Sequence, residues 1–259
     1  MYSVLLFSLG HFLNDFYCNF LPVLLPLIMP RMGLSLTLSG LLIMVMSITS
    51  NVLQPIFGYW MDRKNMSCLL IPAIPFGAIC ICSIGYLENT YLLFLLIAMT
   101  GLSVSSFHPL GSSLASKTAP AGKLGLSMSF YVAGGNIGFA CAPLAIVAFT
   151  QKYTLEYLPI LIVPSLLLAA VYHFTGLSKT TTLSQQSLKK SSFSITPQAF
   201  LANLSIIKLN ISMGFRAWTH TAVSTFLPLL LIQQGYSAMD AGYFLTIFLV
   251  GAALGGLAG

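Results

Sequence analysis

Apolar runs long enough to cross a bilayer alternate with short polar breaks along the chain, at 3–28, 38–60, 68–87, 91–114, 124–150, 155–174, 203–232 and 239–259. A hydrocarbon core of about 30 Å is crossed by roughly 20 helical residues. The pattern therefore predicts eight membrane-spanning helices, the last of them unfinished. Between the sixth and seventh, 175–198 holds eleven Ser/Thr, three Lys and no acid. That composition predicts a flexible, positively charged linker. The expected organisation is an N-terminal six-helix bundle over 1–174, a cytoplasmic linker over 175–198 and a partial second bundle of two helices over 199–259.

Polar residues that fall inside the runs stand out against this pattern. Of the five acidic residues, Asp62, Glu88, Glu156 and Asp240 lie at or beside breaks, and only Asp15 sits within a run, in His11-Phe12-Leu13-Asn14-Asp15. At about 1.5 Å per residue, Asp15 lies roughly 18 Å in from Ser3, near the middle of a bilayer. An acid at that depth costs ~2.5–3.5 kcal/mol, which predicts a partner or a water-filled cavity instead of lipid.

Composition and charge sharpen the class. The chain is 57% hydrophobic and 6% charged, with a mean hydropathy of +0.90, whereas soluble domains carry about 25% charge. It reads as an integral membrane protein. A net charge of +6 on a soluble domain would suggest nucleic acid, but here the basic residues stand one to three at a time between apolar runs. Arg63, Lys64, Lys117, Lys123, Lys179, Lys189 and Lys190 fall in the loops after spans two, four and six, against only Arg31 and Lys152 in the others. The positive-inside rule then puts the first set, and the N-terminus, in the cytoplasm. The first run is too long for a signal-peptide core and is read as a retained span. Cys18, Cys80, Cys82 and Cys141 lie inside apolar runs without a disulfide or zinc spacing, so no metal and no cofactor are expected.

A weak repeat supports two bodies. Phe20-Leu21-Pro22 recurs as Phe226-Leu227-Pro228, an offset of 226 − 20 = 206, and Ser39-Gly40 has a counterpart near Ala241-Gly242. Parallel repeats about the membrane normal are a transporter design.

The stretch Gly58-Tyr59-Trp60-Met61-Asp62-Arg63-Lys64 after the second span resembles the signature loop of the major facilitator superfamily. The resemblance implies that Gly58 allows close helix packing, while Asp62 and Arg63 help hold a cytoplasmic gate shut. The later glycine and second basic residue of that loop are absent, since Asn65, Met66 and Ser67 follow. GHFLNDFY (10–17), LQPIFGYWMD (53–62), SSFHPLGSSLAS (105–116) and GLSMSFYVAGGNIGFACAPLA (125–145) together resemble fosmidomycin-resistance type efflux transporters within that superfamily. Such proteins have twelve spans in two six-helix bundles, so the chain is expected to lack the last four.

Candidate chemistry sits on two stripes with spacing i, i+4, i+7, i+11: His11, Asp15, Cys18 and Pro22 in span one, and Gly101, Ser105, His108 and Ser112 in span four. Each puts small or polar groups on one helix face, where a cavity could be lined. His108 suits proton coupling, or is a structural histidine bonded to neighbouring serines. Members of the resembled group often carry an acid after His-Pro, where this chain has Leu110. In span five, Gly134, Gly138, Ala142 and Pro143 read as a helix-packing stripe. The same stretch resembles an antiporter motif, with Ala142 replacing its usual glycine. Asn136 reaches either the cavity or a neighbouring helix. In span seven, Arg216, His220 and Ser224 lie at i, i+4, i+8. Arg216 could hold an anionic substrate across a central cavity from a protonated Asp15, or form a fixed Asp15–Arg216 ion pair that locks the bundles.

The sequence thus predicts an all-α membrane transporter of the major facilitator type, exporting a small organic molecule or drug by proton-driven alternating access. Its site would comprise Asp15, His11, Asn14, His108, Asn136, Arg216 and His220, with Gly58, Asp62 and Arg63 at the gate. Proton-coupled uptake and a structural protein or inactive fragment are the alternatives. An enzyme is not expected, since neither His-Glu-x-x-His nor Gly-x-Ser-x-Gly occurs. The expected partners are lipid, protons and a small-molecule substrate, with no nucleic acid. A monomer in the cell inner membrane is expected.

Overall fold

The computed structural model describes residues 1–180 and 204–258, and every regular element among them is helical. The α-helices are α1 Tyr2–Cys18, α2 Phe20–Met32, α3 Leu36–Val52, α4 Gln54–Met61, α5 Ala73–Cys82, α6 Thr90–Lys117, α7 Leu124–Lys152, α8 Val163–Phe174, α9 Leu204–Gln233 and α10 Ala238–Ala258. Short 3₁₀ stretches Ser67–Leu70, Ser83–Tyr86 and Leu155–Ile162 extend α5 and α8. Of the linker expected over 175–198, all but 175–180 lies outside the described residues. Six described segments are long and apolar enough to cross a membrane, from Tyr2–Met32 through Leu155–Phe174. The chain is a multi-pass integral membrane protein. α9 has the length, 30 residues, but Lys208, Asn210, Arg216 and His220 dilute its apolar character.

Four spans that read as single runs are interrupted, and prolines account for the breaks. Pro22 has no N–H to give the carbonyl of Cys18, and α1 passes into α2 through Asn19, whose φ and ψ are −89° and 12°. Pro55 does the same to Asn51, separating α3 from α4 at Leu53. Pro72 and Pro75 shorten the third span's α-helix, and Pro159 keeps the start of the sixth span 3₁₀. Ends are fixed locally. Ser35 Oγ accepts from Leu38 N at 3.2 Å and Asn89 Oδ1 from Leu92 N at 3.1 Å, while Gly33, with φ +63°, ends α2 in a left-handed turn. Arg31 Nη1 donates to Gly85 O at 2.5 Å, tying the end of α2 to the turn after α5.

The α1/α2 break is stitched to a second proline defect. Pro143 inside α7 cannot donate to the carbonyl of Phe139, and Asn19 Nδ2 supplies that bond instead at 2.8 Å. Asn19→Leu is therefore expected to cost about 1–3 kcal/mol by orphaning a buried carbonyl. Adding Pro143→Ala should restore much of it, because residue 143 then has its own N–H to give Phe139. Denaturant-driven unfolding in mixed micelles, followed by circular dichroism for both variants, checks this.

α1 lies at the centre, packed on α7 and α6, while α6 also carries α3 and α5. In lipid such packing rests on close fit and hydrogen bonds more than on expelling water. Gly134 and Gly138 of α7 face the backbone of α1 so closely that a Cβ would overlap the carbonyls of Ser8 and Phe12 respectively. Ser8 Oγ also donates to Phe130 O at 2.6 Å, and Tyr172 OH from α8 to Leu6 O at 2.9 Å. Large apolar side chains such as Tyr91, Leu95, Leu167 and Phe174 point outward, as lipid requires. α10 packs against α7, and α9 against α2 and α10. The first half of α9 is exposed, from Leu209 through Trp218, while Ser224 and Thr225 further along are buried. A cleft is left between α3/α4 and that first half.

Candidate functional site

The cleft contains a cavity of about 420 Å³. α1 and α2 give it Asp15, Cys18, Asn19 and Pro22, and α6 and α7 give it His108, Asn136 and Phe139. α9 supplies Arg216, His220, Thr221, Ser224 and Thr225. Beside the apolar Ile43 and Met46, the second span adds a polar stretch of wall: Ser47, Ser50, Asn51 and Gln54. Sequence reasoning passed over these four. Their spacing of i, i+3, i+4, i+7 is the same one-face signal that singled out spans one and four.

Asp15 stands between two imidazoles. His11 Nε2 lies 3.2 Å from its Oδ2, and His108 Nε2 3.3 Å from its Oδ1. Asn14 Nδ2 donates to Oδ1 at 3.0 Å and lies 3.3 Å from His108 Nε2. His11 is fixed from behind: its Nδ1 is 2.8 Å from Tyr131 O, and its ring stacks on the Tyr131 ring at 4.3 Å between centroids. A carbonyl only accepts, so Nδ1 carries a hydrogen and Nε2 of a neutral His11 presents a lone pair to the carboxylate. Two lone-pair atoms 3.2 Å apart are held together only if a cation, most simply a proton, lies between them. The close approach depends on α7 being bare here, since a Cβ at Gly135 would stand 2.5 Å from His11 Nε2 and 2.7 Å from Asp15 Oδ2.

The arrangement corrects several expectations. Asp15 and Arg216 line one cavity but form no ion pair among the described residues; the acid is already engaged by its own half of the protein. His108 bonds to Asp15 and Asn14 and not to neighbouring serines, whose hydroxyls turn back onto helix carbonyls, Ser105 to Leu102 and Ser112 to Pro109. The histidine–acid pair that Leu110 denies to span four is made across helices. His11 and Asn14 are buried behind the carboxylate, not on the cavity wall. Of the span-four stripe only His108 reaches the cavity. Gly101 instead packs on α3, where a Cβ would stand 2.9 Å from Met46 O. His220 sits between the rings of Phe139 and Phe248, at 5.8 and 5.5 Å.

At the Asp62 end, the close helix contact expected at Gly58 is not made, since nothing lies within 4 Å of where a Cβ would stand. Arg63 folds over the Tyr59 ring, Cζ 3.4 Å from its centroid, and Nη1 donates to Tyr59 O at 3.3 Å. Asp62 closes α4, its backbone N–H donating to Gly58 O at 3.0 Å.

Residues 7–259 match the Major Facilitator Superfamily. The chain is 29% identical over 146 residues to the Fosmidomycin resistance protein of Escherichia coli (strain K12), covering 56% of this chain and 36% of that protein. It is 28% identical over 141 residues to the Uncharacterized MFS-type transporter YfnC of Bacillus subtilis (strain 168), covering 54% and 34%. The matched stretch thus spans about a third of either relative. Among solved structures, a bacterial homolog to the human lysosomal transporter Spinster, inward-facing and unoccupied, superposes with a TM-score of 0.79 at 18% identity, over 98% of this chain and 60% of that one. Its inward-facing, occupied form gives 0.75 at 18%, over 99% and 60%. With a family match running through nearly its whole length, the chain belongs to the Major Facilitator Superfamily, a family of secondary transporters.

Proposed function

We propose that this chain carries the coupling site of a proton-driven exporter of a small organic anion, working by alternating access. The observation that carries the reading is the Asp15 carboxylate, clamped between His11 and His108 on the wall of a cavity that also holds Arg216 and His220. In this reading Asp15 and its histidines hold the transported proton. Arg216 binds the substrate anion, and the proton and the anion meet in one cavity without a permanent acid–base lock between them. Asn19 Oδ1 and Thr225 Oγ1, buried at the cavity without a partner among the described residues, supply polar atoms for a substrate that also carries hydrogen-bonding groups. The charge asymmetry of the loops supports a cytoplasmic N-terminus in the cell inner membrane, and the open cleft on the Asp62 side then faces inward. Asp62, Arg63 and Gly58 would close that side in the outward-facing state. The export direction is supported by the likeness to the Escherichia coli fosmidomycin resistance protein.

The test is calorimetric. Fosmidomycin, simple phosphonates and simple carboxylates are titrated into the purified chain in buffers of different ionisation enthalpy. A buffer-dependent heat, reporting protons exchanged per anion bound, is expected; saturable binding with no buffer dependence overturns the coupling. Arg216→Gln should weaken anion binding roughly tenfold to hundredfold, equivalent to about 1.5–3 kcal/mol for a charge-assisted contact. Export itself is read from growth of fosmidomycin-sensitive cells expressing the chain.

A further inference from the structure

We propose that His11, Asp15 and His108 form a binding site for a first-row divalent transition cation of the zinc or cobalt class, with one coordination position open to the cavity. It rests on the cluster's geometry and adds to the transport reading a cation that competes with the proton for the same atoms.

Three metal-binding side chains each offer one ligand atom here, and the three atoms lie within 4.8 Å of one another. Around a tetrahedral ion with bonds of about 2.0–2.1 Å, neighbouring ligand atoms stand about 3.3–3.4 Å apart. His11 Nε2 stands at that distance from one carboxylate oxygen, Oδ2 (3.2 Å), and His108 Nε2 from the other, Oδ1 (3.3 Å), so with Oδ2 as the single carboxylate ligand the His11 edge already has tetrahedral length. The other two edges, His108 to Oδ2 and His108 to His11, close if His108 swings toward His11. His108 has room to do so because it lines the open cavity, and its ring already meets that of His11 edge-on at 5.0 Å.

The outer contacts suit a metal as well. Nδ1 of His11 is committed to Tyr131 O at 2.8 Å, which fixes the tautomer that leaves Nε2 free to ligate. Asn14 Nδ2 orients the carboxylate from 3.0 Å. Gly135 leaves the histidine–carboxylate edge uncovered, where any side chain would crowd both His11 Nε2 and Asp15 Oδ2. Two imidazoles and one carboxylate favour zinc, cobalt or nickel over magnesium or calcium, which take oxygen ligands. The fourth position faces the cavity, where water or a substrate anion reaches the ion. Local sequence spacing could not disclose this set, because His108 lies on a different helix from the other two ligands.

The test titrates Co²⁺ into the purified chain in detergent, with any histidine tag removed. Visible d–d bands of tetrahedral intensity at one equivalent, displaced by Zn²⁺, are expected. Asp15→Asn and His108→Gln should each weaken Co²⁺ binding ~100-fold, while His173→Gln, at the exposed end of α8, leaves it unchanged. Size-exclusion profiles verify that each variant is folded, and His108→Gln, altered on the cavity wall, keeps the test available if Asp15→Asn is not. Absence of a saturable band overturns the proposal. So does a near-ultraviolet thiolate charge-transfer band, which places the ion on cysteine, or binding by His108→Gln within twofold of the parent. None of these outcomes changes the metal-free, buffer-dependent heat, so the metal site and the proton coupling stand or fall separately.

Discussion

Asp15→Asn should abolish the proton exchange linked to anion binding while leaving the binding itself in place. In the parent, His11 Nε2 and Asp15 Oδ2 face each other at 3.2 Å, and the Tyr131 carbonyl forces the histidine hydrogen onto the far nitrogen. A proton must therefore occupy the His11–Asp15 contact whenever the cluster is closed, and a carboxylate is the group that makes holding it favourable. An asparagine amide has its own hydrogens to fill the contact and cannot bind or release a proton at any working pH. The buffer-dependent component of the binding heat is then expected to fall to zero. Anion affinity should be retained or rise, because Arg216 remains and a negative charge leaves the shared cavity. His108→Gln should diminish the proton component without removing it, since the His11–Asp15 contact survives. Joint loss of binding and proton exchange in a folded Asp15→Asn protein would instead make the carboxylate a structural tie. Unchanged proton exchange would move the coupling to His220.

How far the site was legible can be followed through these same residues. Asp15 declared itself by being the one acid inside an apolar run, and its i, i+4 relation to His11 is a property of one helix that any reading of spacing finds. His108 was visible as a candidate but not as the partner, because α6 meets α1 through tertiary packing that no local period encodes. The repeat pointed to Arg216 for that role, and the repeat relates the bodies without saying which side chains touch. The breaks at Asn19 and Leu53 follow from Pro22 and Pro55, yet hydropathy windows average over them. Ser47, Ser50, Asn51 and Gln54 were hidden for a similar reason, as four polar residues do little to the mean hydropathy of a span that is otherwise strongly apolar. The order of spans, by contrast, follows directly from run length, since a run that crosses lipid must satisfy its backbone hydrogen bonds within itself, which a helix does even where a proline breaks it locally.

The other large effect is expected where α1 and α7 touch. A Cβ at Gly138 would fall on the backbone carbonyl of Phe12, and one at Gly134 on that of Ser8. The obstructing atoms are backbone, so no rotamer change relieves the overlap and the two helices must move apart. Separation would loosen Ser8 Oγ from Phe130 O, Asn19 Nδ2 from Phe139 O and His11 Nδ1 from Tyr131 O, which all bridge the same pair of helices. The last two carry buried or part-buried carbonyls that have no water to turn to in the membrane. Gly138→Ala is therefore expected to cost about 3 kcal/mol or more, at or beyond the usual range for overpacking, and Gly138→Leu to prevent accumulation of folded protein. Gly125 lies on the same helix with nothing within 4 Å of its missing Cβ. Gly125→Ala should leave stability unchanged or raise it by up to about 1 kcal/mol through helix propensity. Midpoints of denaturant-driven unfolding in mixed micelles separate the two, because a purely intrinsic glycine effect would stabilise both variants alike. A Gly138→Ala protein that unfolds no earlier than Gly125→Ala would show that α1 and α7 are not held at backbone contact, and the His11–Asp15 geometry that depends on this contact would fall with it.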